Sequence, residues 1–284
     1  YYWYGDAFAR QGYVVLALDL GHRDDSPMYG WDDSWDNHGN GKHPSIKPVG
    51  ERTSDWEEDG ERAWDAIQAL AYLRAQPFVD PACVLVTGHS MGAEVATFVG
   101  ALDTDAAMVI PSCFSPDLTV MSFHSHGCFK WINADVREYV DTSDLHALIA
   151  PRPLIVQNGS KDHTYSRFSP VFATDKQVMR RSRVAYTVAG HQTSDDVVHY
   201  LHYDQHHYHI GDTNPSRQHP AGGVPFPIVG VQMPVVSEPN PPGSPAWQTD
   251  LATDATPRIP QLRGFAHPTL FDYVDHLLCH RRDP

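Results

Sequence analysis

The chain has 284 residues, 41% of them hydrophobic, enough for one sizeable domain with its own core and unlike a disordered, collagenous or coiled-coil sequence. A formal charge of -14 disfavours a nucleic-acid surface, which needs a basic patch against phosphates. No apolar run approaches the length of a membrane span, so no membrane partner is expected.

Residues 1–284 read as a single domain of alternating helices and strands. Tyr1–Gln11 has helical spacing, with Trp3 over Ala7 and Tyr4 over Phe8, and Gly12 stands where a C-terminal cap would. Tyr13–Leu18 is a continuous apolar run, expected to form a parallel strand covered on both faces. A long loop without clear periodicity follows, at 24–53. It carries Asp24, Asp25, Asp32, Asp33 and Asp36, and a second acidic group runs from Asp55 to Glu61. Both are read as solvated faces, with cation binding as the alternative.

Asp55–Ala75 returns to helical period, with Trp56, Ala63, Trp64, Ile67, Leu70, Ala71 and Leu73 on one broad face. Cys83–Thr87 is the next buried strand, Met91–Leu102 a helix, and Ala106–Ile110 a third strand. Ser112–Ala150 is irregular and is read as a cap over the site. Leu154–Gln157 is a fourth strand, Phe168–Ala189 a helix closed by Gly190, Val198–Tyr203 a fifth strand, and Leu270–Leu278 a terminal helix. Between the last two lies a Pro- and Gly-rich insert at 210–265. The alternation predicts an α/β fold, a mostly parallel sheet with helices on both faces.

Gly88-His89-Ser90-Met91-Gly92 directly follows a buried strand and opens a helix. In that setting G-x-S-x-G is a nucleophile elbow: the glycines allow a sharp turn, and the serine is held strained at the strand's end. The turn would aim Ser90 Oγ into the crevice and set the Met91 N–H beside it as an oxyanion donor.

With these residues the chain resembles the α/β-hydrolase superfamily, and within it the branch of dienelactone hydrolases and acetyl xylan esterases. The segments that carry the likeness are QGYVVLALDLGHR, VLVTGHSMGAEVA and LIAPRPLIVQNGSKD. The resemblance spans Tyr1 to about Tyr208 and the closing helix; the loop and the insert lie outside it. It implies a serine ester hydrolase, with small acyl groups on carbohydrate as a substrate class and no organic cofactor. Trp31, Trp35 and Trp56 are candidates for a sugar platform, with core packing as the other reading. An amidase or peptidase using the same residues, and a catalytically silent scaffold used for binding, stand as alternatives.

In this fold the partners follow in the order Ser, Asp, His, each at the carboxyl end of a strand. Asp162 fits as the acid, with Asp117 and Asp175 as rivals. His206 is favoured as the base because it lies just past the strand Val198–Tyr203; His207 and His191 are the alternatives. Gln205 and Tyr208 depart from the branch's Gly-His-x-Phe loop. The imidazoles and carboxylates of His202, Asp204, His206, His207, His209 and Asp212 could in principle bind zinc, as could His124 and His126 beside Cys128. Their spacing matches no metal motif, so no metal is expected.

Of the cysteines, Cys113 and Cys128 could form a bridge in an exported protein, extracellular or periplasmic; buried free thiols are the other reading. The resemblance also implies a central strand and a second oxyanion donor from residues before Tyr1. The expectation is that Tyr13–Leu18 does not pair with Cys83–Thr87. A further N-terminal segment, a partner chain, or the insert around Phe226–Val236 would lie between them.

Overall fold

Short apolar runs bounded by turn residues become strands where helices cover both of their faces, and four such runs assemble here. The computed structural model describes residues 4–18, 58–118, 134–159, 162, 171–190, 196–202, 206–208 and 270–279. In chain order these contain α1 (Tyr4–Arg10), α2 (Glu58–Arg74), β1 (Leu85–His89), α3 (Met91–Leu102), β2 (Met108–Ser112), α4 (Ala134–Tyr139), α5 (Thr142–Ile149), β3 (Leu154–Gly159), α6 (Val171–Val188), β4 (Val197–His202) and α7 (Leu270–Cys279). The strands form one parallel sheet in the order β1-β2-β3-β4.

The two-residue period of the strands sorts the core. Met108, Ile110, Ile155 and Val198 face a cluster with Phe8 of α1 and Phe271 and Val274 of α7. Val109, Leu154, Val156 and Val197 point the other way, onto Ile149 of α5 and Met179 and Tyr186 of α6. Each fully buried aliphatic side chain contributes about 1.5–3 kcal/mol, so both layers are needed to hold the sheet. α3 lies deepest, packed on β1, β2, α2 and α5. A Cβ on Gly100 would sit 2.4 Å from Val109 Cγ2, so this glycine permits the close approach of α3 to β2.

Two strand starts shift by two residues from the sequence reading: Cys83 lies in a 3-10 turn, Pro81–Cys83, and β1 continues to His89, while β2 reaches Ser112. The strand expected at Tyr13–Leu18 is absent. Tyr13 packs edge-on against Phe8, stacks with Phe271 and donates its hydroxyl to the Asp275 carboxylate, but residues 14–18 are exposed, Val14 by 47%. Apolar composition makes a strand only where a neighbour supplies a ladder, and the described sheet does not include this run. Among the described strands β1 is hydrogen-bonded to β2, and with no strand at Tyr13–Leu18 the expectation of a further strand between the two is not tested by the described residues. Phe226–Val236 lies outside the described residues.

The broad face read onto α2 is narrower than expected. Ala63, Ala66 and Leu70 are buried on Val84, Val95 and Val99, whereas Trp64 is 51% exposed and Ala71 is exposed too. Much of the expected cap at 112–150 belongs instead to the body of the domain. Ser112 ends β2, residues 113–116 are buried, and α5 packs between α3 and α6. Asp141 starts α5 with a capping box shared with Asp144, which is why the helix begins there. The loop at 24–53 and the insert at 210–265 lie outside the described residues, as do Trp31, Trp35 and Trp56.

Candidate active site

The carboxyl ends of β1, β2, β3 and β4 converge on one edge of the sheet, where ligands of open α/β folds bind. At the end of β1, Ser90 has φ 55 and ψ -117, a conformation that side chains other than glycine adopt only under strain. Its N–H donates to Ser112 O at 2.8 Å, which extends the β1–β2 ladder to the turn, and its carbonyl accepts from Ala93 and Glu94 as α3 begins. Gly88 makes this possible: a Cβ there would lie 2.0 Å from Gly92 O. Gly92 has open space at its own Cβ position, so the steric demand rests on the first glycine. Met91 is the first residue of α3, and a first-turn N–H has no acceptor within its helix.

Asp162 stands just beyond β3, and His206 just beyond β4. His206 Nδ1 and Asp162 Oδ2 are 2.6 Å apart, with side chains only 16% and 7% exposed. A bond this short and this shielded is a charge-assisted one. With the carboxylate as acceptor, Nδ1 carries the proton and the neutral ring holds its lone pair on Nε2. His206 also packs its ring against His89, the residue preceding Ser90, with centroids 4.6 Å apart at 60°.

Two anchors hold the loop that carries His206. Tyr208 is buried and stacks on Tyr4 at 4.3 Å. Thr87 Oγ1 donates to Ile110 O, so the Tyr208 hydroxyl, 2.8 Å away, donates to Thr87. Burial raises the Tyr208 pKa far above the ordinary tyrosine range and keeps that donor protonated. The second anchor is the Cys113 thiol, which donates to His207 O at 3.3 Å. In β3, the Asn158 side-chain oxygen Oδ1 accepts from Ser115 Oγ and from His199 Nε2, both at 3.0 Å.

The fold is that of the α/β-hydrolases. A parallel sheet, a strained serine between strand and helix, and an Asp–His pair beyond the ends of β3 and β4 are its parts. No protein-family model matches the chain. It is similar to YtaP of Bacillus subtilis (strain 168), which carries the provisional name of a hydrolase, at 27% identity over 121 residues. That alignment covers 41% of this chain and 39% of YtaP. Among solved structures it is similar to a glucuronoyl esterase of carbohydrate esterase family 15 from Caldicellulosiruptor kristjansonii (22% identity, TM-score 0.46, 54% of this chain and 46% of that one). It is also similar to one from Teredinibacter turnerae (22%, TM-score 0.45, 54% and 44%), and to a glucuronoyl esterase catalytic domain from Hypocrea jecorina (20%, TM-score 0.42, 54% and 47%). The chain thus matches less than half the length of each of these four relatives.

The rival residues fall elsewhere. Asp117 lies 3.6 Å from Arg181, which also bonds Asp141 at 3.1 Å, so it belongs to a structural ion-pair group. His207 contributes its carbonyl to Cys113, and the side chain of Asp175 and His191 lie outside the described residues. His124, His126, Cys128, Asp204, His209 and Asp212 are likewise undescribed. Cys113 is a fully buried thiol that is not joined in a disulfide. It is the site residue that sequence reading missed. Its backbone has φ 59 and its N–H donates to Gln157 O at 2.7 Å, which sets it at the end of β2 as Ser90 is set at the end of β1. The signal in the sequence was its place three residues past the strand read at Ala106–Ile110. Cys113 Sγ, an Asp162 oxygen and a His206 nitrogen lie within 4.8 Å of one another, a set that could hold a metal ion.

Proposed function

We propose that the chain is a serine carboxylic ester hydrolase in which Ser90 is the nucleophile, His206 the base and Asp162 the acid. The observation that carries the reading is the 2.6 Å bond between His206 Nδ1 and Asp162, with the His206 ring packed on His89, the residue before the serine strained at the strand–helix turn. With Nδ1 held by the carboxylate, His206 Nε2 takes the Ser90 proton as Oγ attacks the ester carbonyl. The oxyanion meets the Met91 N–H at the start of α3. Collapse expels the alcohol, which takes the proton back from His206 and leaves an acyl-serine. Water, deprotonated by the same nitrogen, attacks the acyl carbon, and release of the acid restores Ser90. Asp162 stays ionised and stabilises the imidazolium in both halves.

A fluorophosphonate probe tests the nucleophile directly. The expected result is one label on the peptide holding Ser90, lost in Ser90→Ala, together with turnover of p-nitrophenyl acetate. An unlabelled, inactive, folded protein would mean a binding scaffold. Turnover of anilides at rates rivalling the esters would mean an amidase. A panel of acetylated sugars and methyl glucuronate esters then assigns the acyl and alcohol sides.

A further inference from the structure

We propose that Cys113, Asp162 and His206 form an inhibitory site for a soft divalent cation such as Zn2+. The inhibitory part rests on the reading of Asp162 and His206 given above; the binding part does not. One thiol sulfur, one carboxylate oxygen and one imidazole nitrogen, from residues at the ends of three strands, lie within 4.8 Å of one another. Sulfur, nitrogen and oxygen donors together suit zinc, cadmium or cobalt and disfavour magnesium or calcium, which take oxygen alone.

Charge favours the site as much as donor type. Cys113 is fully buried, and the Asp162 side chain is only 7% exposed. When the dication arrives, the thiol gives up its proton to solvent, and thiolate plus carboxylate neutralise the ion. No net charge is then left in a shielded place. Seating the ion requires the His206–Asp162 pair to open from 2.6 Å toward the roughly 3.3 Å between neighbouring ligands of tetrahedral zinc, a change that side-chain rotation supplies. The described residues offer three ligands, and water can take the fourth position.

Either way of using His206 stops the proposed chemistry. Coordination through Nδ1 moves its proton to Nε2 and breaks the bond to Asp162, so no lone pair faces Ser90. Coordination through Nε2 occupies the base itself. The thiol also gives up its bond to the His207 carbonyl, which loosens one anchor of the loop.

The test uses the full chain freed of metal with EDTA. Co2+ is titrated in while thiolate-to-cobalt absorption in the near ultraviolet is followed. In parallel, p-nitrophenyl acetate turnover is measured as Zn2+ is added. One equivalent of cobalt should develop the band. Ser90→Ala should keep it, and so should the chain with Cys83, Cys128 and Cys279 all changed to serine. Cys113→Ser should lose the band. Relative to its own metal-free rate, Cys113→Ser should need at least tenfold more Zn2+ for half-inhibition, and EDTA should restore the unaltered enzyme. Absence of a band in the unaltered chain, or a band that survives Cys113→Ser, overturns the site. A one-equivalent band with turnover untouched by Zn2+ overturns its inhibitory role. Wild-type protein without any turnover would defeat the esterase reading, while the cobalt band would still decide whether the ion binds.

Discussion

Replacing Ser90 by glycine and, separately, by alanine separates its chemical role from its backbone strain. At φ 55 and ψ -117 a residue with a Cβ is strained by about 1–3 kcal/mol. Alanine keeps the Cβ and therefore the strain, whereas glycine adopts this region freely. Against that relief, glycine's extra freedom in the unfolded chain costs about 0.5–1 kcal/mol. The net expectation is that Ser90→Gly is more stable than Ser90→Ala by about 1 kcal/mol, or roughly 2 °C in Tm. Urea unfolding followed by tryptophan fluorescence, fitted with a common m-value, measures the difference. Both variants should lack p-nitrophenyl acetate turnover. A glycine variant less stable than the alanine variant would refute the strain argument, and turnover by either would refute the nucleophile.

The remaining predictions concern the acid, the loop anchor, the elbow glycine and a buried histidine. Asp162→Asn should cut turnover by roughly 10³–10⁴-fold, because the amide no longer favours the required tautomer or the imidazolium; a loss under tenfold would point to another acid. Tyr208→Phe keeps the stacking on Tyr4 but loses the bond to Thr87, and should cost about 1 kcal/mol of stability and lower kcat more than it raises KM. Gly88→Ala places a Cβ against the Gly92 backbone and should destabilise by about 3 kcal/mol, while Gly92→Ala, with open space, should fold normally by circular dichroism. His146 is fully buried, and desolvation lowers its pKa from 6.5 to about 3. Its Nδ1 faces Ser182 Oγ, which itself donates to Val178 O, so the neutral ring is the donor. The unfolded chain then binds a proton below pH 6.5 that the folded chain refuses until about pH 3. This stability is complete above the unfolded pKa and falls with acidification by up to about 1.4 kcal/mol per pH unit. Between pH 7 and 5 the unaltered protein should lose about 2 kcal/mol more than His146→Leu, and parallel unfolding curves for the two would contradict this.

Local pattern decided much of the architecture. Apolar runs at β1 to β4 and helical periods at α2, α3, α6 and α7 are visible without coordinates, because strand and helix spacing are properties of neighbouring residues. The strand–glycine–serine–helix context of Ser90 is equally local. Other features depended on what packs against what. Val14 to Leu18 reads like β1, yet lies exposed, since burial of a strand is conferred by its neighbours. Trp64 reads as part of the apolar face of α2, but the face that meets α3 and β1 is set by Ala63, Ala66 and Leu70. Within the segment read as a cap, residues 142–149 form α5, wedged between α3 and α6, because capping and tertiary contact outweighed weak periodicity. Among several histidines, composition cannot say which meets an aspartate. That was decided by Tyr208 on Thr87 and Cys113 on the His207 carbonyl, contacts between residues far apart in the chain. Cys113 itself reads in the sequence as an ordinary thiol. Its place beside Asp162 and His206 exists only because parallel pairing brings the ends of β2, β3 and β4 to the same edge of the sheet.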